Sequence, residues 1–283
     1  MNYRHIYHAG NFADVLKHAV LARLIRYAQQ KEGAFRVLDT HAGIGLYDLT
    51  SEEAQKTGEW QEGIGRLIDA ELPEAAAALL EPYLSAVRDL NPEGGVRRYP
   101  GSPKLARMLF RPQDRLSAIE LHPEDFSALS RLFEGDFQVR VTELDGWLTL
   151  GAHLPPKEKR GLVLIDPPFE AQLAEFDTAL DALRTGLTRW PQGIFTLWYP
   201  IKQRRTLAKF LRDAVVLPSK SAWIAELHIR STDSPLRMNG SGMLVLNPPW
   251  KADEAISPVL PRLAKILGEQ DANSVFQWLK QGS

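Results

Sequence analysis

Apolar positions recur at helical spacing from Phe12 onward, where Leu16, Val20 and Leu24, flanked by Val15, Leu21 and Ile25, make one wide face. Asn11 stands where its side chain can cap such a helix and Asp14 falls in the first turn, so a helix over 12–30 is predicted. The period then shortens. Phe35 to Asp39 reads as a strand running into His41, Gly43 and Gly45, and further strands are predicted over 116–120, 139–144, 161–165, 193–198, 222–229 and 242–246. Helical patterns separate most of these runs. Strands alternating with helices predict βαβ units and a mainly parallel sheet covered on both faces, an α/β fold.

One gap interrupts the alternation. In a simple Rossmann unit an acid that holds a ribose follows the glycine turn by about 20 residues. Here the next acid at a strand end is Glu120, about 75 residues beyond Gly45. Residues 50–99 are therefore read as an inserted helical subdomain, with 1–49 and 100–283 forming the main domain. Inside the insertion, 75–80 and 83–90 read as two helices broken at Pro82.

Composition narrows the class. With 283 residues, 44% hydrophobic and 24% charged, the chain is neither collagen-like nor disordered. No apolar run is long enough for a membrane span and no secretion signal is read at the start, so a cytoplasmic protein is expected. The lack of cysteine excludes disulfides, thiolate metal sites and a Cys nucleophile. A net charge of −1 hides segregation: ten acidic residues lie between Ser51 and Glu93, whereas Arg97, Arg98, Lys104, Arg107, Arg111 and Arg115 follow with Asp114 as their one acidic neighbour. Lys202, Arg204, Arg205, Lys209 and Arg212 form a second basic stretch. Each reads as local polyanion contact or as a solvated face. His5, His8, His18 and Asp14 do not read as a metal site, because histidines near a helix start cap, bind phosphate or face water; no metal is expected.

Three segments carry candidate chemistry. Glycines in Asp39-Thr40-His41-Ala42-Gly43-Ile44-Gly45 let the backbone turn sharply and approach a ligand at the carboxyl edge of the sheet. Glu120, ending the next strand, can accept hydrogen bonds from two ribose hydroxyls. The most specific segment is the apolar run 161–165 closing on Asp166-Pro167-Pro168-Phe169. The prolines remove two N–H donors and leave the Asp166 carboxylate and the Pro167 carbonyl as neighbouring acceptors. Two adjacent acceptors suit an NH₂ group. An exocyclic amine such as adenine N6 is a weak nucleophile, and hydrogen bonds from both its N–H groups favour a pyramidal nitrogen with a freed lone pair. Phe169 is expected to stack on the base.

Asn247-Pro248-Pro249-Trp250 copies that spacing. Strand order separates the two: Asp166 ends a strand on the same edge as Asp39, Glu120 and Asp145, whereas the strand before Asn247 is expected to run antiparallel and end on the far edge. Trp198-Tyr199-Pro200 is read as core or as part of a base pocket.

Together Asp39-Thr-His-Ala-Gly43, Pro100-Gly-Ser102-Pro, Glu120-Leu-His-Pro, Asp145-Gly146, Asp166-Pro-Pro-Phe169 and Asn247-Pro-Pro-Trp250 resemble the bacterial 23S rRNA adenine-N6 methyltransferases of the RlmJ type, from about Tyr3 to Trp250. The resemblance implies a class I S-adenosylmethionine-dependent methyltransferase sheet, Rossmann-like, with a small helical insertion, acting on one adenine of 23S rRNA; separately, a monomer is expected. It further implies that Lys17 and His41 contact the methionine end of S-adenosyl-L-methionine, that Ser102 and Gly43 lie in its pocket, that Glu120 holds the ribose and that Asp145 and Gly146 hold the adenine. Asp166 is then catalytic and also contacts the cofactor, with Pro167 and Phe169 as catalytic neighbours. Tyr3, Arg4 and His5 contact the RNA. Ser102, ahead of Pro103, is expected to cap a helix. Two departures stand out: His41 replaces a glycine of the general methyltransferase fingerprint, and Phe169 stands where many relatives have Tyr. Adenine methylation of DNA, methylation of a protein Gln amide, a non-catalytic rRNA-binding assembly factor and a nicotinamide dehydrogenase stay open as rivals. An incomplete G-x-G-x-x-G disfavours the last of these.

Overall fold

The computed structural model describes residues 4–169, 172–202, 204–230 and 238–282. Helix α1 (Phe12–Ala28) begins as its sequence dictates, with Asn11 Oδ1 accepting from the amides of Ala13 and Asp14 at 2.9 and 3.0 Å. It leads into β1 (Arg36–Asp39) and β2 (Leu46–Asp48). Next come α2 (Glu52–Thr57), a wide helical turn over Gln61–Gly65 running into α3 (Arg66–Ile68), and α4 (Glu74–Asp89). The chain returns through β3 (Arg98–Pro100) to α5 (Ser102–Leu109), β4 (Arg115–Glu120), α6 (Pro123–Leu132), β5 (Val139–Glu143), α7 (Gly146–Ala152) and β6 (Gly161–Ile165). It ends with α8 (Gln172–Arg189), β7 (Ile194–Ile201), α9 (Arg204–Val215), β8 (Ala222–His228), β9 (Gly240–Leu246), α10 (Ala252–Ile256), α11 (Leu260–Leu267) and β10 (Asn273–Lys280).

Among the described residues, eight strands form one sheet in the order β5-β4-β1-β6-β7-β9-β8-β10. The five from β5 to β7 are mutually parallel, β9 runs antiparallel to both β7 and β8, and β10 runs antiparallel to β8. Apolar side chains bury on both faces: one core includes α1, α4, α5 and α11, the other α7, α8 and α9. No helix among the described residues is long and apolar enough to cross a membrane.

Two local expectations give way, at Pro82 and Ser102, and three strands appear that the sequence did not predict. Pro82 does not break a helix: α4 runs through it. A proline removes one hydrogen bond, and burial of Leu80, Tyr83, Leu84 and Val87 against the α1 side outweighs that loss. Strands β2 and β3 pair with each other, Leu46 opposite Pro100, yet three residues are too few to show a period. Strand β10 was missed because, as a half-exposed edge strand, it lacks clean alternation. The cap of α5 is Gly101, and Ser102 is already its first helical residue.

The antiparallel turn of β9 carries Asn247 to the edge opposite Asp166. There its Oδ1 accepts from Lys220 N at 2.8 Å and its Nδ2 donates to the carbonyls of Pro191 and Gly193 at 3.0 and 2.9 Å. Asn247 thus ties three loops together at the far edge.

Candidate active site

From β1 the chain builds outward to β4 and β5, then crosses back to β6 on the other side, so the strand order switches beside β1. Open α/β sheets bind ligands in the crevice at the carboxyl ends next to such a switch. A cavity of about 580 Å³ opens there, within the size range of small-molecule sites.

Each strand end delivers side chains to its wall. After β1, Gly43 turns at φ +60°, and a Cβ there would lie 2.5 Å from the Tyr47 hydroxyl. Its freed amide donates to Glu120 Oε2 at 2.8 Å, while His122 N donates to Oε1 at 2.8 Å. Burial pushes the Glu120 carboxyl above its usual range, and these amides oppose it. Each oxygen keeps a further lone pair for a ligand hydroxyl. Asp145 caps α7 through Trp147 N at 2.9 Å. A Cβ on the next residue, Gly146, would sit 2.2 Å from the Thr40 carbonyl, so only glycine passes. All of these residues line the cavity.

Ser102, also in the wall, donates through Oγ to Asp39 Oδ2 at 2.6 Å. Burial pushes the Asp39 carboxyl up to about 7; the Ser102 bond opposes this and the nearby Asp166 charge adds to it. The folded protein therefore holds a proton that the unfolded chain, with a value of about 3.9, has released, and stability falls as pH rises from about 4 to about 7. Asp39→Asn is expected to flatten this slope and to stabilise the protein at pH 8 by roughly 2–4 kcal/mol. Urea unfolding at pH 5 and pH 8 measures both, and an unchanged slope would contradict the assignment.

Asp166 follows β6 and lines the same wall with Pro167. Its Oδ2 accepts from the Lys17 ammonium, which also donates to Asp14 Oδ1 at 2.7 Å. Asp14 Oδ2 in turn bonds His5 Nε2 at 2.9 Å and Gly10 N at 2.8 Å. The chain His5–Asp14–Lys17–Asp166 is dry at its centre, with Lys17 3% exposed and Asp14 1%, and half-buried at its two ends. Burial acts to neutralise both groups, but the two carboxylates hold Lys17 above its usual range, and His5 and Lys17 hold Asp14 well below its own. A buried ammonium needs neutralising partners inside the fold, so Lys17 spends its donors on protein carboxylates as well as lining the cavity.

Phe169 adopts φ +48°, a left-handed conformation unusual for a non-glycine residue. Its ring is 3% exposed and packs 5.0 Å from Phe176 and 5.9 Å from Trp198, while still touching the cavity. Trp198 and Pro200 line the cavity, whereas Tyr199 between them points into the core and donates to Glu226 at 2.7 Å. His5 lines the cavity and Arg4 does not; Arg4 pairs with Glu124 and Asp125 of α6 at 2.9 and 3.1 Å. Tyr3 lies outside the described residues. Much of the basic character is used internally: Arg107 pairs with Asp136, Arg111 with Asp114, and Lys209 with Asp177 and Asp213.

One wall residue was missed. His18, grouped by sequence with capping or solvent-facing histidines, is 1% exposed and lines the cavity. Its Nδ1 bonds the Tyr99 hydroxyl at 2.7 Å, and its Nε2 is buried with no partner. The available signal was its place among the apolar positions of α1, one residue after Lys17.

This sheet order, with its cleft at the switch point, is that of the class I S-adenosylmethionine-dependent methyltransferases. Residues 32–280 match the family described as "Ribosomal RNA large subunit methyltransferase D, RlmJ", and the chain belongs to it. It is 40% identical to Ribosomal RNA large subunit methyltransferase J of Escherichia coli (strain K12) over 281 residues, 99% of each chain. It is also 40% identical to the protein of that name from Haemophilus influenzae, again over 99% of each. A crystal structure of a Legionella pneumophila protein superposes with a TM-score of 0.86 at 34% identity, covering 97% of this chain and 98% of the other. The protein is thus a methyltransferase.

Proposed function

We propose that this protein transfers a methyl group from S-adenosylmethionine to the exocyclic N6 of one adenine in 23S rRNA. The observation that carries the reading is Asp166: it closes β6 in the wall of the switch-point cavity, with one carboxylate oxygen held by a buried lysine and the Pro167 turn beside it.

The cavity fits the cofactor on its own terms. Glu120 offers two anchored oxygens for ribose hydroxyls, Asp145 and Gly146 lie beyond it for the adenine, and the orphaned His18 Nε2 asks for a polar ligand group. His41, Gly43 and Ser102 complete that pocket. When bound, S-adenosylmethionine supplies an already activated methyl group on its sulfonium. The protein's own work is to dock the amine in line and accept its N–H bonds. Asp166 Oδ1 and the Pro167 carbonyl would accept those bonds, while Lys17 keeps Oδ2 occupied and the carboxylate oriented. The expected stacking of Phe169 on the base gives way: its ring is 3% exposed and backs Trp198, which is the partly exposed ring of the cavity wall available to an extruded base. Tyr3, Arg4 and His5 would meet the RNA, with Arg4 leaving its α6 carboxylates to do so.

The same reading makes residues 50–99 an insertion on the methyltransferase domain and the protein a cytoplasmic monomer. Incubation with labelled S-adenosylmethionine and, separately, 23S rRNA, duplex DNA and release factor tests the substrate. Label is expected in the rRNA alone, as N6-methyladenine at a single mapped position. Label in DNA or protein with none in rRNA would refute the assignment, and no transfer to any of them would favour an assembly factor.

A further inference from the structure

The cavity contains two imidazoles, His18 and His41, and the hydrogen bonds behind them differ in direction. Behind His18 lies a closed chain: Nδ1 bonds Tyr99 Oη at 2.7 Å, and Tyr99 Oη bonds Tyr83 Oη at 2.9 Å, with both tyrosines 0% exposed. If Tyr83 donates to Tyr99 and Tyr99 donates to Nδ1, each buried O–H is used. In the opposite direction the Tyr83 O–H would be left without an acceptor, which buried donors rarely tolerate. The first direction leaves the His18 proton on Nε2, the orphaned atom of the cavity residue. Behind His41 the order is reversed. Thr40 Oγ1 donates to the Leu164 carbonyl at 3.1 Å, so at 2.8 Å it accepts from His41 Nδ1–H, and Nε2 is left as an acceptor. Burial pushes His18 down to about 3 and His41 to about 4, which keeps both rings neutral near pH 7.

We propose that Tyr99, backed by Tyr83, and Thr40 are positioning residues that lock His18 and His41 in opposite tautomers, so that the site presents one donor and one acceptor to the carboxylate and ammonium of an amino-acid ligand end. The proposal rests on the reading of the cavity as a cofactor site. It gives the residue range 50–99 a part in cofactor recognition, because Tyr83 of α4 and Tyr99 of β3 reach the ligand only through His18. A neutral donor and acceptor also suit the place: Lys17 is already committed to two carboxylates, and a second buried cation beside it would be repelled.

The test uses the whole protein carrying ¹⁵N-histidine. Two-bond ¹H–¹⁵N spectra of the free wild type are expected to place the His18 proton on Nε2 and the His41 proton on Nδ1. Calorimetry then compares S-adenosylhomocysteine with 5′-deoxy-5′-methylthioadenosine, which has the same nucleoside but no amino-acid end. Tyr99→Phe should release the His18 tautomer and weaken S-adenosylhomocysteine about 10-fold, leaving the truncated ligand within about 2-fold. Tyr83→Phe removes the donor behind Tyr99, so it should shift the tautomer and the S-adenosylhomocysteine affinity in the same direction as Tyr99→Phe but by less, again leaving the truncated ligand within about 2-fold. Should Tyr99→Phe not fold, the wild-type spectrum decides alone. A His18 proton on Nδ1, or equal weakening of both ligands by Tyr99→Phe, overturns the proposal. Failure of the wild type to bind S-adenosylhomocysteine at all overturns the cofactor reading together with it.

Discussion

Asp166→Ala is expected to lower methyl transfer to rRNA by about 10²–10³-fold or more, the scale seen when one transition-state hydrogen-bond partner is removed, with S-adenosylmethionine affinity within a few-fold of wild type. The loss should fall on kcat, because the two N–H bonds strengthen as the nitrogen becomes pyramidal and acquires positive charge. Asp166→Asn should be nearly as impaired, since its amide offers a single neutral acceptor. Single-turnover transfer to rRNA and calorimetry with the cofactor measure the two quantities separately. Full turnover in Asp166→Ala would remove the residue from the mechanism, and loss of cofactor binding alone would recast it as part of the pocket.

Lys17→Met carries the largest expected effect on stability. It leaves the buried Asp14 carboxylate facing the half-buried Asp166 without the ammonium between them, and uncompensated buried charge costs about 3–5 kcal/mol. Urea unfolding should register that loss, together with a fall in kcat as Asp166 loses its orienting partner. Asp14→Asn combined with Lys17→Met separates the two consequences. Removing the stranded charge should recover about half of the stability or more, while turnover stays low because Asp166 is still unheld. If the double variant recovered turnover as well, the positioning role would belong to overall stability and not to the Lys17–Asp166 contact.

Much of this was legible in one dimension because it rests on short-range rules. The central parallel strands read as apolar runs, 161–165 most clearly, since a strand buried on both faces has no polar alternation to blur it, whereas the edge strand β5 alternates. The cap at Asn11 and the glycine turn at Gly43 are local and were read correctly. Strand order also separates Asp166 from its look-alike Asn247, because an antiparallel β9 must end on the far edge. The failures share one cause. Pro82 inside α4, the short pair β2–β3 and the edge strand β10 are all decided by packing partners distant in sequence, which outweigh local propensity.

The sequence by itself determined the order of the main strands β1, β4 to β9, the residue types at their ends and the family, since these depend on hydrophobic period, turn chemistry and motif spacing. Only the tertiary structure decided which donor meets which acceptor. Lys17 could be read as a lone cation until folding closed the 149-residue separation to Asp166 and made it the link between two carboxylates. His18 likewise turned from a surface histidine into a buried wall residue once Tyr99, 81 positions away, came to lie behind it. A side chain's charge is written in its chemistry, but its protonation, orientation and polarity are set by desolvation and by neighbours that linear spacing does not encode.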